Sequence, residues 1–129
     1  GERRALMFGL ACGVAGFVVY AFAPQGWIFL LGLPISALWA IASPASQALI
    51  TRQVDADMQG RIQGALMSLV SVAGILAPIA FASVFGLFIS ERAPVEFPGA
   101  PWLLAALLLA VAVGIAWRYA PKGAVVPRD

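Results

Sequence analysis

From residue 5 to residue 51 the chain carries no Asp, Glu, Lys, Arg or His. That run is roughly twice the ~20 residues a helix needs to cross a bilayer core, so it predicts two membrane spans joined by a turn. Ala23-Pro24-Gln25-Gly26 supplies the turn, and the interfacial aromatic Trp27 follows it. Span one is then about residues 5–23, and span two about 27–50. Span two contains Pro34 and Pro44, each of which removes a backbone donor and should kink the helix or open it locally. A polar connector at residues 51–60 carries Arg52, Asp55 and Asp57. Span three follows at about 62–90 with Pro78 inside it, long enough to require tilt or extension beyond the hydrocarbon. After Glu91, Arg92 and Glu96, the turn Pro98-Gly99-Ala100-Pro101 leads into span four, about 102–119, with Trp102 at one interface and Trp117 and Tyr119 at the other. The predicted fold is all-α and integral to the membrane, with four transmembrane helices.

Four spans bring both chain ends and the middle connector to one side. That side collects Arg3, Arg4, Arg52, Arg61, Arg118, Lys122 and Arg128, and leaves only Arg92 opposite. Basic residues concentrate on the cytoplasmic side of a membrane protein, so both termini are expected there.

Composition agrees with the pattern. Hydrophobic residues make up 62% of the chain, charged residues 11%, and mean hydropathy is +0.94, too apolar for a soluble domain of this size. The net charge of +2 lies in small clusters at span ends, which suits an anionic lipid leaflet and not nucleic acid. Arg3 and Arg4 before an apolar run, with Ala21-Phe22-Ala23, outline a secretory signal, but the run is too long for one and further spans follow. A first residue of Gly1 in place of Met raises the expectation of a longer protein whose N-terminal part lies outside this chain. One cysteine, Cys12, and no histidine leave no disulfide framework, thiol zinc site or Ser-His-Asp triad. Without paired carboxylates, a phosphate loop or an ion-ligand cluster, no enzyme activity, metal or cofactor is expected.

Two spans carry distinctive faces. Ser36, Trp39, Ser43 and Gln47 recur at helical spacing along span two, placing hydroxyls, an indole and an amide at membrane depth. Such a face either lines a solute cavity or hydrogen-bonds a neighbouring helix. Trp39, far from the interface where Trp collects, either narrows that cavity or packs on a neighbour. Span three shows a small-residue stripe, Gly60, Gly64, Ser68, Ser71, Gly74 and Pro78, suited to close helix packing or to substrate contact. Gly9, Gly13 and Gly16 form a shorter stripe on span one, and span four between Leu103 and Ile115 is wholly apolar and reads as lipid-facing. Kinked helices with small-residue seams and one polar face suit a transporter. A free-standing four-span structural or accessory subunit fits composition equally well.

The motifs separate these. Gly1-Glu2-Arg3-Arg4-Ala5-Leu6 resembles the end of the glycine- and arginine-rich motif between the eighth and ninth helices of major facilitator transporters. Pro44-Ala45-Ser46-Gln47-Ala48, Arg52-Gln53-Val54-Asp55, Gln59-Gly60-Arg61-Ile62-Gln63-Gly64 and Pro78 resemble, in order and spacing, the tenth and eleventh helices of bacterial tetracycline-resistance efflux proteins, in the drug:proton antiporter branch. The resemblance implies helices nine to twelve of a twelve-helix fold in the bacterial inner membrane, which exports a drug-like organic solute against protons. It puts Ser36, Trp39, Ser43 and Gln47 on the central cavity. Gln59, Gly60, Arg61, Gln63 and Gly64 fall where the two halves of the transporter meet, and Arg3 and Arg4 in a gate, unless they anchor to anionic lipid. The pattern has an aspartate where this chain has Gly13 and small residues where it has Trp39. Any group titrating with the coupling proton is then expected in the part outside this chain.

Seven basic residues on one side give a direct test. In a Cys12→Ser background, an impermeant thiol reagent outside intact cells should label Gly99→Cys and spare Gln53→Cys. The opposite labelling would invert the topology.

Overall fold

The computed structural model describes residues 1–121, so Lys122 and Arg128 lie outside the described residues. Helix α1 spans Glu2–Ala21, α2 Gly26–Ala37, α3 Ala42–Thr51, α4 Ala56–Ile89 and α5 Ala100–Tyr119. Joining α2 and α3 as one crossing, four helices among the described residues are long and apolar enough to cross a membrane. Among the described residues there is no strand.

Span two is broken ahead of Pro44, whereas Pro34 lies inside the continuous helix α2. Between α2 and α3 the residues Leu38–Ile41 form a 3₁₀ turn. Pro44 has no N–H for the Ala40 carbonyl and its ring crowds that carbonyl, so the preceding turn tightens. The connector is shorter than expected: α4 starts at Ala56, directly after Asp55, whose carbonyl accepts from the Met58 N–H at 2.9 Å. Asp57 in the first turn complements the helix dipole.

Helix α1 is the centre of the packing, against α2, the 3₁₀ turn, α3 and α5. Its buried residues Gly9, Gly13, Gly16 and Tyr20 share one face. A Cβ on Gly9 would lie 2.8 Å from the Ala42 backbone nitrogen, and one on Gly16 2.8 Å from Ser36 Cβ. One on Gly13 would lie 2.5 Å from Leu109 Cδ2 and 2.9 Å from Trp39 Cγ. Backbone meets backbone across this seam. The chain runs antiparallel throughout the bundle. At one end Arg52 pairs with Glu2 at 2.7 Å and Arg3 reaches Trp117; at the other, Gly99 sits against Ala21 and the Phe22 and Phe97 rings lie 5.4 Å apart.

Two expectations about faces change. Span four is not lipid-facing all round: Ala100 and Ala106 are buried and Leu109 closes on Gly13, so one face of α5 packs on α1. Its uniformly apolar sequence hides that face, because a helix-packing surface in lipid need be no more apolar than the lipid-facing one. The stripe on span three makes no close contact within the described chain. No residue of α4 is buried, and a Cβ on Gly60, Gly64 or Gly74 would meet nothing within 4 Å. Its hydroxyls are satisfied inside the helix, Ser68 on the Gly64 carbonyl and Ser71 on the Met67 carbonyl, both at 2.9 Å.

Gly9→Leu should therefore cost about 1–3 kcal/mol by forcing α1 from α3, whereas Gly114→Leu, with open space at its Cβ, should be near neutral. SDS-driven unfolding in mixed micelles measures the difference. Equal midpoints would mean that the α1 seam is not closely packed.

Candidate functional site

The polar face of span two opens on a cleft of about 650 Å³. Leu6 and Leu10 of α1 and Leu109 of α5 form its apolar walls, and Ser36, Trp39, Ser43 and Ser46 its polar side. Ser36, Trp39 and Ser43 line the same cleft, and Ser46 joins them. Gln47 follows Ser43 by one helical turn in α3, beside the cleft and not among its lining residues.

Two of the cleft's three serines have assigned partners. Ser36 donates to the Leu33 carbonyl at 3.0 Å, so in its 2.6 Å contact with Tyr20 the phenol is the donor. Tyr20 went unnoticed in the sequence; its place four residues after Gly16, on the glycine face, was the available signal. Ser46 donates to the Ser43 carbonyl at 2.8 Å. Trp39 does two things. Its ring meets Phe17 edge-on at 5.4 Å and lies over Gly13, while 40% of the residue stays exposed beside the cleft. Gly13 and Trp39, the two positions that depart from the resemblance, are therefore in contact, and the indole fills space that a side chain at residue 13 would need.

Gln47 and Gln63 join the two motifs of spans two and three. Gln63 Nε2 donates to Gln47 Oε1 at 2.7 Å, in a partly buried position. Around this pair Gln59 is half-buried and Gly60, Arg61 and Gly64 are exposed, with Arg61 donating to Met58 Sδ at 3.8 Å. Arg3 and Arg4 diverge. Arg3 Nη2 donates to the Trp117 carbonyl at 2.8 Å, and its guanidinium carbon sits 5.2 Å from the Trp117 ring centre. It thereby satisfies a last-turn carbonyl of α5, one of the four that a helix end leaves without an intrahelical partner. Arg3 Nε is buried without a partner among the described residues. Arg4 is exposed.

A second cleft of about 590 Å³ lies between α1, α4 and α5, lined by apolar side chains such as Val14, Val84, Phe88 and Leu107. Nothing there could orient a polar solute. Among the described residues no group of three or more His, Cys, Asp or Glu could hold a metal ion.

Comparison with known proteins places this geometry. The chain is 34% identical over 118 residues to the class G tetracycline resistance protein of Vibrio anguillarum, a match covering 92% of this chain and 29% of that protein. The class C protein of Escherichia coli is 34% identical over 86% of the chain and 27% of its own length, and the class H protein of Pasteurella multocida 30% identical over 95% and 29%. The chain is homologous to one stretch of the tetracycline resistance proteins. It spans less than a third of the length of these curated relatives. No family model matches it, and no solved structure does.

Proposed function

We propose that this chain forms helices nine to twelve of a twelve-helix major facilitator transporter of the bacterial inner membrane, exporting a tetracycline-like or other drug-like organic solute in exchange for protons. The observation that carries this reading is the homology to tetracycline resistance proteins over nearly the whole chain but less than a third of their length. The remaining helices would supply the rest of the cavity and the carboxylate that couples to protons, since residues 5 to 51 contain no acid. Both ends of this segment would face the cytoplasm, where Arg3, Arg4, Arg52, Arg61 and Arg118 meet anionic lipid.

Within that transporter Ser36, Trp39, Ser43 and Gln47 contribute one wall of the solute cavity. The open stripe of α4, Gly60 and Gly64 included, is the surface on which the other half would pack and slide, and Gln59, Arg61 and Gln63 stand at its cytoplasmic start. Arg3 holds the end of α5 and Arg4 remains exposed, available to a gate or to lipid. Alternating access rocks one half against the other around a midplane site, so a smooth, small-residue surface at the contact suits the motion.

Cells expressing the complete protein should accumulate less tetracycline than cells with the empty vector, and a protonophore should abolish the difference. Unchanged accumulation at confirmed membrane expression would contradict the reading. Trp39→Ala should widen the cleft and remove a stacking surface, weakening export of flat aromatic compounds by roughly three- to tenfold while admitting bulkier ones. A uniform loss that tracks protein abundance would make Trp39 a packing residue only.

A further inference from the structure

Gly13 is buried behind two of the residues that line the cleft. A Cβ built on it would lie 2.5 Å from Leu109 Cδ2, 2.9 Å from Trp39 Cγ and 3.1 Å from Trp39 Cδ1. The two contacts differ in kind. Leu109 approaches with the tip of a flexible side chain, which a change of rotamer withdraws. Trp39 approaches with the root of its indole. Turning the ring about χ2 leaves Cγ where it is, so only a change of χ1 or a shift of the 3₁₀ turn Leu38–Ile41 makes room. The indole therefore rests this close to the α1 backbone because residue 13 has no side chain.

The surroundings decide where a displaced indole goes. Leu10 and Leu6, one and two turns before Gly13 on the same face of α1, line the cleft. Phe17, one turn after it, meets the Trp39 ring edge-on at 5.4 Å and closes that side. The open side is the cleft of about 650 Å³, beside which 40% of Trp39 is already exposed. A methyl group at residue 13 drives the ring into that space.

We propose that Gly13 is a positioning residue that sets the width of the solute cleft: by seating the Trp39 indole against α1 it keeps the cleft open to a multi-ring organic solute. The inference rests on the transporter reading above. Gly13 itself touches no solute; it acts through the depth at which the indole sits.

Gly13→Ala tests the seat with two readouts. In everted vesicles carrying the complete transporter at matched abundance, with tetracycline as the probe, it should raise KM by roughly tenfold, what one methyl group in an apolar pocket is worth, and leave kcat within about twofold. In a Trp39→Ala background the same change should add nothing to KM. The second readout needs no transport. Trp39 emission, taken as the difference between each protein and its Trp39→Phe counterpart, should be quenched more strongly by acrylamide in Gly13→Ala than in wild type. A fall in kcat at unchanged KM, an additive loss with Trp39→Ala, or unchanged quenching would overturn the proposal and leave the transporter reading intact. Wild-type vesicles that move no tetracycline would remove the transporter reading and this inference with it. If Gly13→Ala does not reach the membrane, both readouts are taken with Leu109→Ala added, where the Trp39 contact alone remains. A raised KM with stronger quenching relative to Leu109→Ala then supports the proposal, and the absence of either overturns it.

Discussion

Everything else in this bundle depends on how closely α1 approaches its neighbours. Inside a bilayer no hydrophobic force pushes one helix onto another, because lipid tails are as apolar as leucine; association comes from close van der Waals contact. Gly9, Gly13 and Gly16 provide it by removing the side chains between α1 and the helices on either side. Ala42 and Ser36 of span two can then rest against the α1 backbone, and Trp39 and Leu109 can meet over Gly13. The cleft is a product of this approach. Its apolar walls are Leu6, Leu10 and Leu109, and its polar side is the face of span two that α1 holds in place.

The two ends of the bundle are fastened by different chemistry. At the end that holds the chain start, neighbouring residues Glu2 and Arg3 reach two other helix ends, one to Arg52 and one to the Trp117 carbonyl. The Glu2–Arg52 pair is exposed enough to add about 0–1 kcal/mol, so it sets register more than strength. At the opposite end aromatic rings do the work: Tyr20 stacks on Phe29 at 4.3 Å, and Trp102 meets Tyr20 edge-on at 5.0 Å. Between these ends span two is interrupted at Leu38–Ile41, the level of Trp39. Beyond the break, α3 carries the link to α4 through Gln47 and Gln63.

The four crossings were legible because charges are expensive in lipid and turn residues mark its edges: the apolar run, Pro24-Gln25-Gly26 and Pro98-Gly99 could hardly mean anything else. The polar face of span two was legible for the same reason, since Ser36, Trp39 and Ser43 recur at helical spacing in an otherwise apolar stretch. Partner choice was not. Glycine spacing marks a surface that can pack closely, but the same spacing on α1 and α4 led to a tight seam in one and an open stripe in the other. Likewise the apolar monotony of span four concealed Ala106 and Leu109 as packing positions. Long-range hydrogen bonds, Tyr20 to Ser36 and Gln63 to Gln47, leave no trace in periodicity, and a side chain such as Arg3 shows its charge in the sequence but not the carbonyl it caps.

On the reading proposed above, another part of a larger transporter covers the open stripe of α4, and that is the claim most exposed to measurement. Nitroxide labels at Ser71, on the stripe, and at Leu69, on the opposite face, can be compared in the complete protein in bilayers by their accessibility to oxygen, which concentrates in lipid. Ser71 should be shielded and Leu69 oxygen-accessible. Equal, lipid-like accessibility at both positions would mean that nothing packs on α4 and that these four helices are not the end of a transporter.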